Sequence, residues 1–457
     1  MISQPKNGRE LAFLALRQIW QEEAYANLAL KKLLDQNAAP PREARLATEI
    51  VYGTARLRYG VEYLLSNLLT KPLDQLHPDI RVILALSLYQ LHYLATEPYA
   101  VVNEGVKLAK QYTNPALAKL TNGVLRNYLR QVERQGKDAL LPTRDDLRSY
   151  LRITQSYPAW LVDYLLSHFG PEQAEQFCLA GNARPGLWLR TNTLRISRMQ
   201  LLEQLQAAGC TARAAGFAPE TIQVTANAAP ATHKIQAGLC LAQGPISQLA
   251  AYALSPAPGS RVLDLAAAPG GKTTHLAARM GNQGQIQAFD LHAHKIPLLQ
   301  DNCKRLGIQI VTAQAADSGR LPETYQNWAD SVLVDAPCSG LGVLQARPDS
   351  RYHKKAQDIP TLAKLSYRLL DAAAGYVRPG GYICYSTCTI TEEENQGNLS
   401  RFLEQHPDFQ LAPMTEVARL LSRPEDRSAA KRGQLQLLPQ DQGMEGFFLS
   451  LVRRRPD

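Results

Sequence analysis

The sequence predicts an all-helical N-terminal domain, a small α+β subdomain, and a C-terminal α/β domain with a doubly wound, mostly parallel sheet. The chain of 457 residues is long enough for about three domains. Through the first 135 residues apolar side chains recur every three or four positions, as in amphipathic helices. From Ser260 onward short apolar runs alternate with glycine-rich turns and helical patterns, which predicts strands joined by helices.

The helical pattern is clearest in residues 11–20, 44–68 and 80–94, and we place the helical domain at residues 1–137. A polar stretch with Pro142 predicts a linker at 138–150. The α+β subdomain is expected at 151–244, with a helix opening near Tyr157 and a strand at 187–192. In the last domain, residues 245–457, we predict buried strands at 261–266, 285–290, 308–314, 331–335 and 381–386. Ligands of such a sheet lie beyond the carboxyl ends of its strands.

Composition excludes several classes of protein. Hydrophobic residues make up 45% and charged residues 20% of the chain, which argues against a disordered or fibrous protein. No apolar run reaches the roughly 18 residues that span a bilayer, and the N-terminus lacks the apolar core of a signal peptide, so we expect a cytoplasmic protein. Nothing in the sequence requires more than a monomer.

The seven cysteines are an odd number without a C-x-x-C pair, so neither a disulfide framework nor a metal site is expected. Cys384 and Cys388 have the C-x-x-x-C spacing that opens the iron–sulfur signature of radical enzymes. Thr391 stands where the third thiol of that signature is needed, which disfavours this alternative.

The charge of the chain favours a polyanionic partner. Its net charge is +9, and residues 1–140 carry 18 basic against 13 acidic side chains. Four basic residues between positions 105 and 137 are our candidate RNA-binding face: Lys107, Lys110, Arg126 and Arg130. The alternative is a solvated helix face without a ligand.

A glycine-rich turn joins the first predicted strand of the α/β domain to a helix. Gly270 and Gly271 allow backbone amides to approach a ligand at a helix N-terminus. The candidate cofactor-binding residues of this turn are Ala266, Ala267, Ala268, Pro269, Gly270, Gly271 and Lys272. Gly271-Lys272-Thr273 also resembles the end of a phosphate-binding P-loop, but that motif needs glycine at position 266, which is alanine.

Two aspartates follow the next two strands. Asp290 is placed to accept hydrogen bonds from ribose hydroxyls, and Asp317 to accept one from an adenine amino group. Each aspartate taken alone is more often a turn residue or a helix cap than a ligand. Together with the glycine turn they predict an adenosine pocket without pyrophosphate recognition, which suits S-adenosylmethionine better than a dinucleotide.

Two cysteines end the fourth and fifth strands, in Asp335-Ala336-Pro337-Cys338 and Thr387-Cys388. A free cysteine is most often a small buried hydrophobe, and we interpret Cys178, Cys210 and Cys303 in this way. Cys338 and Cys388 instead arrive together at the ligand edge of the sheet. Carbon 5 of cytosine becomes nucleophilic only after a group adds to carbon 6, and a thiolate suits that addition. A lysine such as Lys272 or a helix N-terminus would favour the thiolate. Beyond Cys388, Thr391 and Glu394 predict a capping box for the next helix.

At these residues the chain resembles the Fmu/Sun (RsmB-type) family of bacterial small-subunit rRNA cytosine-5 methyltransferases. The matching segments are LDLAAAPGGKTTHL, FD at 289–290, the Asp317 segment, VDAPCSGLGVLQARPD, YSTCT followed by EEN, LRTN at 189–192 and GMEGFFLSLVRR. The helical domain resembles the NusB-like RNA-binding domain of these enzymes, at Tyr52-Gly53, Val102-Asn103-Glu104 and 122–126.

The resemblance implies a class I (Rossmann-like) methyltransferase domain that uses S-adenosylmethionine and acts on 16S rRNA, free or in early assembly particles. It implies that Ala266 to Lys272, Asp290, Asp317 and Asp335 contact the cofactor region. Cys388 would be the nucleophile and Cys338 would assist release, while Asp335 would also stabilise protonation of cytosine N3. DNA cytosine-5 methyltransferases instead use the cysteine at the position of Cys338.

Two departures from the family pattern stand out. Alanine occupies position 267, where relatives commonly carry cysteine at this or the neighbouring position. Gln243-Gly244 replaces a usual Gln-Asp, so a contact made there by relatives is in doubt.

The competing hypothesis is a ribosome-assembly or antitermination factor that keeps a methyltransferase domain as a scaffold. The sequence does not identify the cytosine.

Overall fold

The computed structural model describes Pro5 and residues 7–456, apart from the side chain of Gln442. By packing, the chain divides into two compact units. The first contains the chain up to Ala183 together with Leu344–Ala356, and the second contains Arg184–Val343 and the chain from Gln357 onward. In this division the helix after Tyr157 belongs to the first unit.

The first unit is all-helical where it is described, as predicted. Asn7 caps the first helix by accepting from the Glu10 amide, and Asn114 caps the seventh by accepting from the Leu117 amide. One apolar core, with Phe13, Leu16 and Ile50, joins the helices. Their bounds are α1 (Gly8–Gln21), α2 (Ala26–Asn37), α3 (Pro41–Arg56), α4 (Arg58–Leu68), α5 (Pro78–Tyr93), α6 (Pro98–Tyr112), α7 (Pro115–Gln135), α8 (Leu147–Ser149) and α9 (Ala159–Asn182).

The second unit begins with a four-stranded antiparallel sheet in the order β2-β3-β1-β4. The predicted strand at 187–192 is its central strand β1. The apolar core of this part lies between the sheet and its helices and contains Leu189, Leu201 and Ile222. The bounds are β1 (Leu187–Thr191), α10 (Arg198–Ala207), β2 (Thr211–Ala214), β3 (Thr221–Ala226), α11 (Ala229–Gln236) and β4 (Cys240–Ala242).

The rest of the second unit is built on an eight-stranded sheet. Its elements are α12 (Pro245–Leu254), β5 (Arg261–Asp264), α13 (Gly271–Arg279), β6 (Gln285–Asp290), α14 (Ile296–Leu306), β7 (Val311–Ala315), β8 (Ala329–Asp335), α16 (Asp358–Tyr376), β9 (Val377–Thr387), α17 (Gln396–Gln405), β10 (Phe409–Leu411), α18 (Thr415–Leu420), α19 (Pro424–Lys431), β11 (Gln434–Leu437), α20 (Pro439–Gln442) and β12 (Phe447–Arg454). A short helix α15 (Ser350–His353) belongs to the first unit.

The strand order is β10-β12-β9-β8-β5-β6-β7, with β11 paired to β12. Strands β5 to β9 are the five predicted strands, and their pairings are parallel. Strand β12 is antiparallel to β9. The predicted α/β fold is therefore confirmed, with an antiparallel edge added. Strand β5 pairs with β6 on one side and with β8 on the other, so the connections from β5 and from β8 run in opposite directions. At such a point a crevice for ligands opens beyond the carboxyl ends of the strands.

Leu344–Ala356, which follows the Cys338 loop in sequence, is part of the first unit. Arg351 is its anchor: the guanidinium is fully buried, lies 3.9 Å from the Tyr157 ring and donates to Asn182 Oδ1 at 2.9 Å. Burial of a charged group is costly unless hydrogen bonds compensate, and here the two Nη atoms have partners while Nε has none among the described residues. The carbonyl of Gly181 accepts a further bond at 3.3 Å.

Candidate active site at the strand ends

Cys338 and Cys388 lie side by side, with 3.4 Å between the two sulfur atoms. Cys338 follows β8 and Cys388 follows β9, and these neighbouring parallel strands bring their carboxyl ends to the same edge. Both residues are half-buried, and both are free thiols. The hydrogen bond with Cys388 and burial raise the pKa of Cys338 well above its ordinary value. Cys338 therefore stays protonated and is suited to donate to a Cys388 thiolate.

Glu394 ties the two cysteine loops together. Its carboxylate accepts from the Ser339 amide at 2.7 Å, the Ser339 hydroxyl at 2.6 Å and the Thr391 hydroxyl at 2.6 Å, and it is fully buried. The predicted capping box at Thr391 and Glu394 is wrong, because α17 begins only at Gln396 after the N-cap Asn395. Glu394 instead accepts hydrogen bonds from Ser339 of the neighbouring loop, and the spacing in the sequence does not predict this contact.

Lys272 forms an ion pair with Asp335 and interacts electrostatically with Cys388. Its Nζ donates to Asp335 Oδ2 at 2.7 Å, while Asp335 Oδ1 accepts from the Ser386 hydroxyl at 2.9 Å. The Phe447 ring centre is 5.1 Å from the ammonium. Burial lowers the pKa of Lys272, but Asp335, with contributions from Cys388 and the Glu445 carboxylate, outweighs burial and raises it. Because the attraction is mutual, the Lys272 ammonium stabilises a thiolate at Cys388.

The glycine-rich turn leads directly into α13. Gly270, with φ of 98°, is the N-cap of this helix, a conformation that glycine adopts without strain. Arg190 of β1 is buried behind the turn and donates to the Gly271 carbonyl and, at 2.9 Å, to the Thr274 hydroxyl. Sequence reasoning assigned no role to Arg190 beyond the LRTN motif.

Asp290 is buried beside the turn. Its Oδ2 accepts from the Ala268 amide at 3.3 Å and its Oδ1 from the His292 amide at 2.9 Å, so the end of β6 is held against the turn. An acceptor carboxylate next to a turn of small residues fits a ribose and adenosine moiety. The same residues do not fit a P-loop, since Lys272 and Thr273 donate to Asp335 and Asp264 rather than facing a phosphate.

Asp264, at the end of β5, is a buried carboxyl that the sequence did not single out. Burial raises its pKa to about 7, and the Asp335 charge adds to the effect, while the hydrogen bond from Thr273 opposes it. The Thr273 hydroxyl donates to Asp264 Oδ2 at 2.7 Å. Asp264 thus holds the first turn of α13 against the sheet.

Asp317 stands just after β7, where it caps a short 3₁₀ turn by accepting from the Gly319 amide at 3.1 Å. The same Oδ1 atom also pairs with Arg368 of α16. Burial acts to raise the pKa of Asp317, but the hydrogen bonds from Arg368 and Gly319 outweigh it and lower it. The residue before it, Ala316, donates its amide to the Asp290 carbonyl at 3.1 Å, so the backbone at Asp317 lies close to the end of β6.

The four basic residues of the candidate RNA face lie on α6 and α7 and are exposed. Lys107 pairs with Glu104 at 2.8 Å, and the Arg126 Nε donates to Asn122 at 3.1 Å. The Cα of Gly105 lies close to Leu125, so the two helices approach each other there. The remaining cysteines Cys178, Cys210, Cys240, Cys303 and Cys384 are buried, as predicted for Cys178, Cys210 and Cys303.

Comparison with known proteins identifies the family. A probable ribosomal RNA small subunit methyltransferase B of Bacillus subtilis is 36% identical over 98% of each chain. A protein of the same name from Synechocystis is 35% identical over 98% of this chain and 99% of its own. The chain belongs to the RsmB family. Family models agree: 16S rRNA methyltransferase RsmB/F matches residues 251–453, the NusB family 6–130, and an RsmF/B-like ferredoxin-like domain 157–230.

Solved structures support the same family. The crystal structure of PH0851 superposes with a TM-score of 0.82 over 99% of this chain and 100% of its own, at 26% identity. A methyltransferase homologue from Pyrococcus horikoshii covers 68% of this chain and 99% of its own, with a TM-score of 0.58 and 28% identity.

As an RsmB-family protein, the chain is a methyltransferase whose cofactor is S-adenosylmethionine. The NusB-like helical domain and the Rossmann-like domain predicted from the sequence are both confirmed. None of the helices in the described part of this RsmB-family chain is long and apolar enough to cross a bilayer.

Proposed function

We propose that the chain methylates carbon 5 of a cytosine in 16S rRNA through a covalent adduct between Cys388 and carbon 6. The observation that carries the proposal is the pair of thiols 3.4 Å apart at the ends of β8 and β9, in a domain of an S-adenosylmethionine-dependent family. Methyl transfer to a nitrogen or oxygen atom needs no enzyme thiol. Transfer to carbon 5 needs one thiolate to activate the ring, and afterwards a group that helps to undo the adduct.

Cys388 is the better nucleophile of the two. The Lys272 ammonium, held by Asp335 at 2.7 Å, interacts with Cys388 and stabilises its thiolate. Cys338 is disfavoured as the attacking thiolate, because the hydrogen bond with Cys388 and burial raise its pKa. The arrangement favours the RNA-enzyme assignment of the two cysteines over the assignment found in DNA enzymes.

The chain's residues would act in the following order. The Cys388 sulfur forms a bond to carbon 6, and the ring electrons move so that carbon 5 becomes nucleophilic while N3 accepts a proton. Carbon 5 would then accept the electrophilic methyl group that bound S-adenosylmethionine would supply, with S-adenosylhomocysteine as the leaving group. Once Cys388 is bonded to carbon 6, it no longer holds the proton of Cys338 through their hydrogen bond, and Cys338 would lose that proton to water. The Cys338 thiolate would then take the carbon 5 proton, the carbon–sulfur bond would break to return the Cys388 thiolate, and N3 would give up its proton.

Asp335 is suited to the base edge rather than to the methyl group. Its two carboxylate oxygens are oriented by Lys272 and Ser386. A carboxylate so fixed accepts a hydrogen bond from a protonated N3 and stabilises the charge that develops there. We assign Asp290 to the ribose hydroxyls and the backbone of Ala266 to Lys272 to the remainder of the cofactor.

Asp317 remains our candidate acceptor for the adenine amino group, which requires Oδ2 to face the cofactor while Oδ1 stays with Arg368 and Gly319. The exposed residues Lys107, Lys110, Arg126 and Arg130 are proposed to contact RNA phosphates. The proposal includes a monomeric, cytoplasmic enzyme that acts on free 16S rRNA or on early assembly particles. The target base would be splayed out of its stem-loop to reach the cysteines.

The test measures both the transfer of the methyl group and the position of the methylated cytosine. Unmodified 16S rRNA is incubated with the enzyme and tritiated S-adenosylmethionine, and the product is sequenced after bisulfite treatment. We expect stoichiometric label and one protected cytosine. Label without a protected cytosine would contradict carbon 5 as the acceptor. A chain that binds rRNA but transfers no methyl group would instead be the assembly or antitermination scaffold considered above.

A further inference from the structure

Two thiols of this chain differ from the rest in their exposure. All seven cysteines lie in the described part of the chain, and of these Cys338 and Cys388 alone are partly exposed. The other five are buried, and burial raises the pKa of each of them: Cys178, Cys210, Cys240, Cys303 and Cys384. A buried thiol that keeps its proton reacts slowly. Thiol chemistry on this chain is therefore concentrated at the exposed pair.

The sulfur atoms of Cys338 and Cys388 need only a short movement to form a bond. They lie 3.4 Å apart, and a disulfide brings two sulfur atoms to about 2 Å. The loops leave from the paired strands β8 and β9, and the pairing extends to the hydrogen bond from the Ala336 amide to the Ser386 carbonyl at 2.8 Å. Adjacent strands lie about 4.8 Å apart, and a disulfide spans Cα separations of about 4.4–6.8 Å. The fold therefore places the two loops at a separation that a disulfide can bridge.

The residues next to the two cysteines hold the loops at this separation. Ser339 and Thr389 follow the cysteines directly, and their hydroxyl groups lie 2.5 Å apart. The buried Glu394 carboxylate accepts from both the amide and the hydroxyl of Ser339. Further along the Cys338 loop, the Gly342 amide donates to the Cys388 carbonyl at 2.9 Å. None of these contacts uses a sulfur atom, so they persist when the thiols react.

The hydrogen bond between the two thiols gives them different roles toward an oxidant. The bond and burial raise the pKa of Cys338, so Cys338 keeps its proton and donates it to a Cys388 thiolate. A thiolate that reacts with a peroxide becomes a sulfenic acid. A sulfenic acid beside a second thiol condenses with it to a disulfide, whereas one without such a neighbour is oxidised further to a sulfinic acid. Cys338 is placed to be that second thiol.

We propose that the Cys338–Cys388 pair is a site of reversible oxidation by hydroperoxides, in which Cys388 reacts first and Cys338 closes a disulfide. The Cys388 sulfur bonds to one peroxide oxygen and the O–O bond breaks, so Cys388 becomes a sulfenic acid while the other oxygen leaves as hydroxide or alkoxide. The Cys338 sulfur then bonds to the Cys388 sulfur, and the displaced hydroxide leaves with the Cys338 proton as water. The pair gives two electrons to the peroxide, and a dithiol reductant returns them by exchange.

The disulfide stops methyl transfer but preserves the nucleophile. While Cys388 is bonded to Cys338 it has no thiolate that can add to carbon 6, and reduction restores it. Without Cys338, oxidation of Cys388 would proceed to a sulfinic acid, which a dithiol does not reduce. The loss of activity rests on the proposed function, whereas the disulfide rests on the geometry of the pair alone.

The experiment treats the full-length reduced chain with hydrogen peroxide, without RNA, and maps its thiols by mass spectrometry. Remaining thiols are blocked with iodoacetamide, and the protein is digested without reductant. We expect a peptide linked through Cys338 and Cys388, with the other five cysteines alkylated. No Lys or Arg separates Cys384 from Cys388, so fragment spectra are used to assign the link. Methyl transfer to 16S rRNA should fall in proportion to the linked fraction and return after treatment with dithiothreitol.

Three variants test the order of the steps. In Cys338→Ser, Cys388 should gain two oxygen atoms as a sulfinic acid that dithiothreitol does not reverse. In Cys388→Ser, Cys338 should remain alkylated, because burial keeps its thiol protonated. Cys210→Ser, which retains a donor for the Ala226 carbonyl, is the matched control and should form the Cys338–Cys388 link as the wild type does.

Several results would overturn the proposal. They are wild-type Cys388 found as a sulfinic acid without the linked peptide, a link that involves any other cysteine, and no oxidation of either member of the pair. Oxidation of Cys338 in Cys388→Ser at the wild-type rate would reverse the order of the two steps. A linked peptide in a chain that still transfers methyl groups would contradict the proposed function and leave the oxidation site standing.

Discussion

Cys338 and Cys388 differ in their surroundings although their sulfur atoms are in contact. Cys388 has the Lys272 ammonium nearby, whereas Cys338 lies next to the loop bound by Glu394, whose negative charge opposes a thiolate. A thiol is an effective nucleophile only as a thiolate. The Lys272 ammonium near Cys388 is therefore enough to make Cys388, rather than Cys338, the nucleophile. Two chemically identical side chains are thereby assigned to opposite ends of one covalent cycle.

This assignment predicts different outcomes for the two alanine variants. Cys388→Ala should be inactive and form no adduct, while Cys338→Ala should attack and methylate but release slowly. An RNA–protein conjugate that carries the labelled methyl group should then accumulate on denaturing electrophoresis with Cys338→Ala. The double variant should lose the conjugate, as expected for residues that act in sequence. Trapping by Cys388→Ala instead would reverse the assignment.

Asp290, the proposed acceptor for the ribose hydroxyls, gives a prediction for cofactor affinity alone. Asp290→Ala should weaken S-adenosylmethionine binding by about 1–3 kcal/mol, because the hydroxyls lose their acceptor and the Ala268 amide loses its partner. RNA affinity should barely change. Calorimetry measures the first and a filter-binding assay the second. Unchanged cofactor affinity in folded protein would remove Asp290 from the site.

At the level of secondary structure, the Cys338 and Cys388 loops are joined by the hydroxyl groups of Ser339 and Thr389, 2.5 Å apart, and by Glu394. Parallel pairing of β8 with β9 places the loops at one edge, but it does not set the distance between the thiols. The buried Glu394 carboxylate, with its bonds to Ser339 and Thr391, fixes that distance. We infer that its role is to hold the Cys338 loop against the Cys388 loop.

Replacement of Glu394 by glutamine should loosen this connection. The amide nitrogen cannot accept the hydroxyl protons of Ser339 and Thr391, so we expect a loss of about 1–3 kcal/mol in the free energy of unfolding. Methylation in a single turnover should slow, with cofactor affinity retained. Glu393→Gln, at the adjacent exposed position, is the matched control and should resemble the wild type in both measurements. Equal behaviour of the two variants would contradict a role for Glu394 in the loops.

For the whole molecule, the proposed assignment of RNA binding to the first unit and catalysis to the second has a measurable consequence. The described cysteines of the proposed catalytic pair lie in the second unit, while the basic side chains on α6 and α7 lie in the first. Affinity from phosphate contacts depends on salt, whereas the thiol chemistry does not. Binding and turnover should therefore respond to different substitutions.

Neutralising Lys107, Lys110, Arg126 and Arg130 together should flatten the salt dependence of RNA binding. The expected change in slope is about 0.7–0.9 per lost phosphate contact in a plot of log affinity against log salt concentration. Turnover with saturating substrate should survive. A slope equal to that of the wild type would show that this face is only solvated, and Lys107, already paired with Glu104, would be the first residue to exclude.

Sequence alone determined the helical and α/β parts, the glycine turn, and the arrival of Asp335, Cys338 and Cys388 at one edge. These follow from local periodicity, and from the rule that parallel strands bring their carboxyl ends together. The prediction of a capping box from Thr391 and Glu394 was wrong, because the two residues do contact each other but precede the helix, and Glu394 also binds Ser339. The sequence pattern also did not show that Asp317 pairs with Arg368.

Only the tertiary structure decided which side chains complete the site. The 3.4 Å between the thiols and the hydrogen bond from Ser339 to the buried Glu394 depend on contacts between segments 50 and 55 residues apart. The same holds for Arg351, whose partners Tyr157 and Asn182 lie far away in sequence. The physical reason is that a buried charged group pairs with a side chain that the fold places next to it. That partner is distant in sequence, so local periodicity does not predict it.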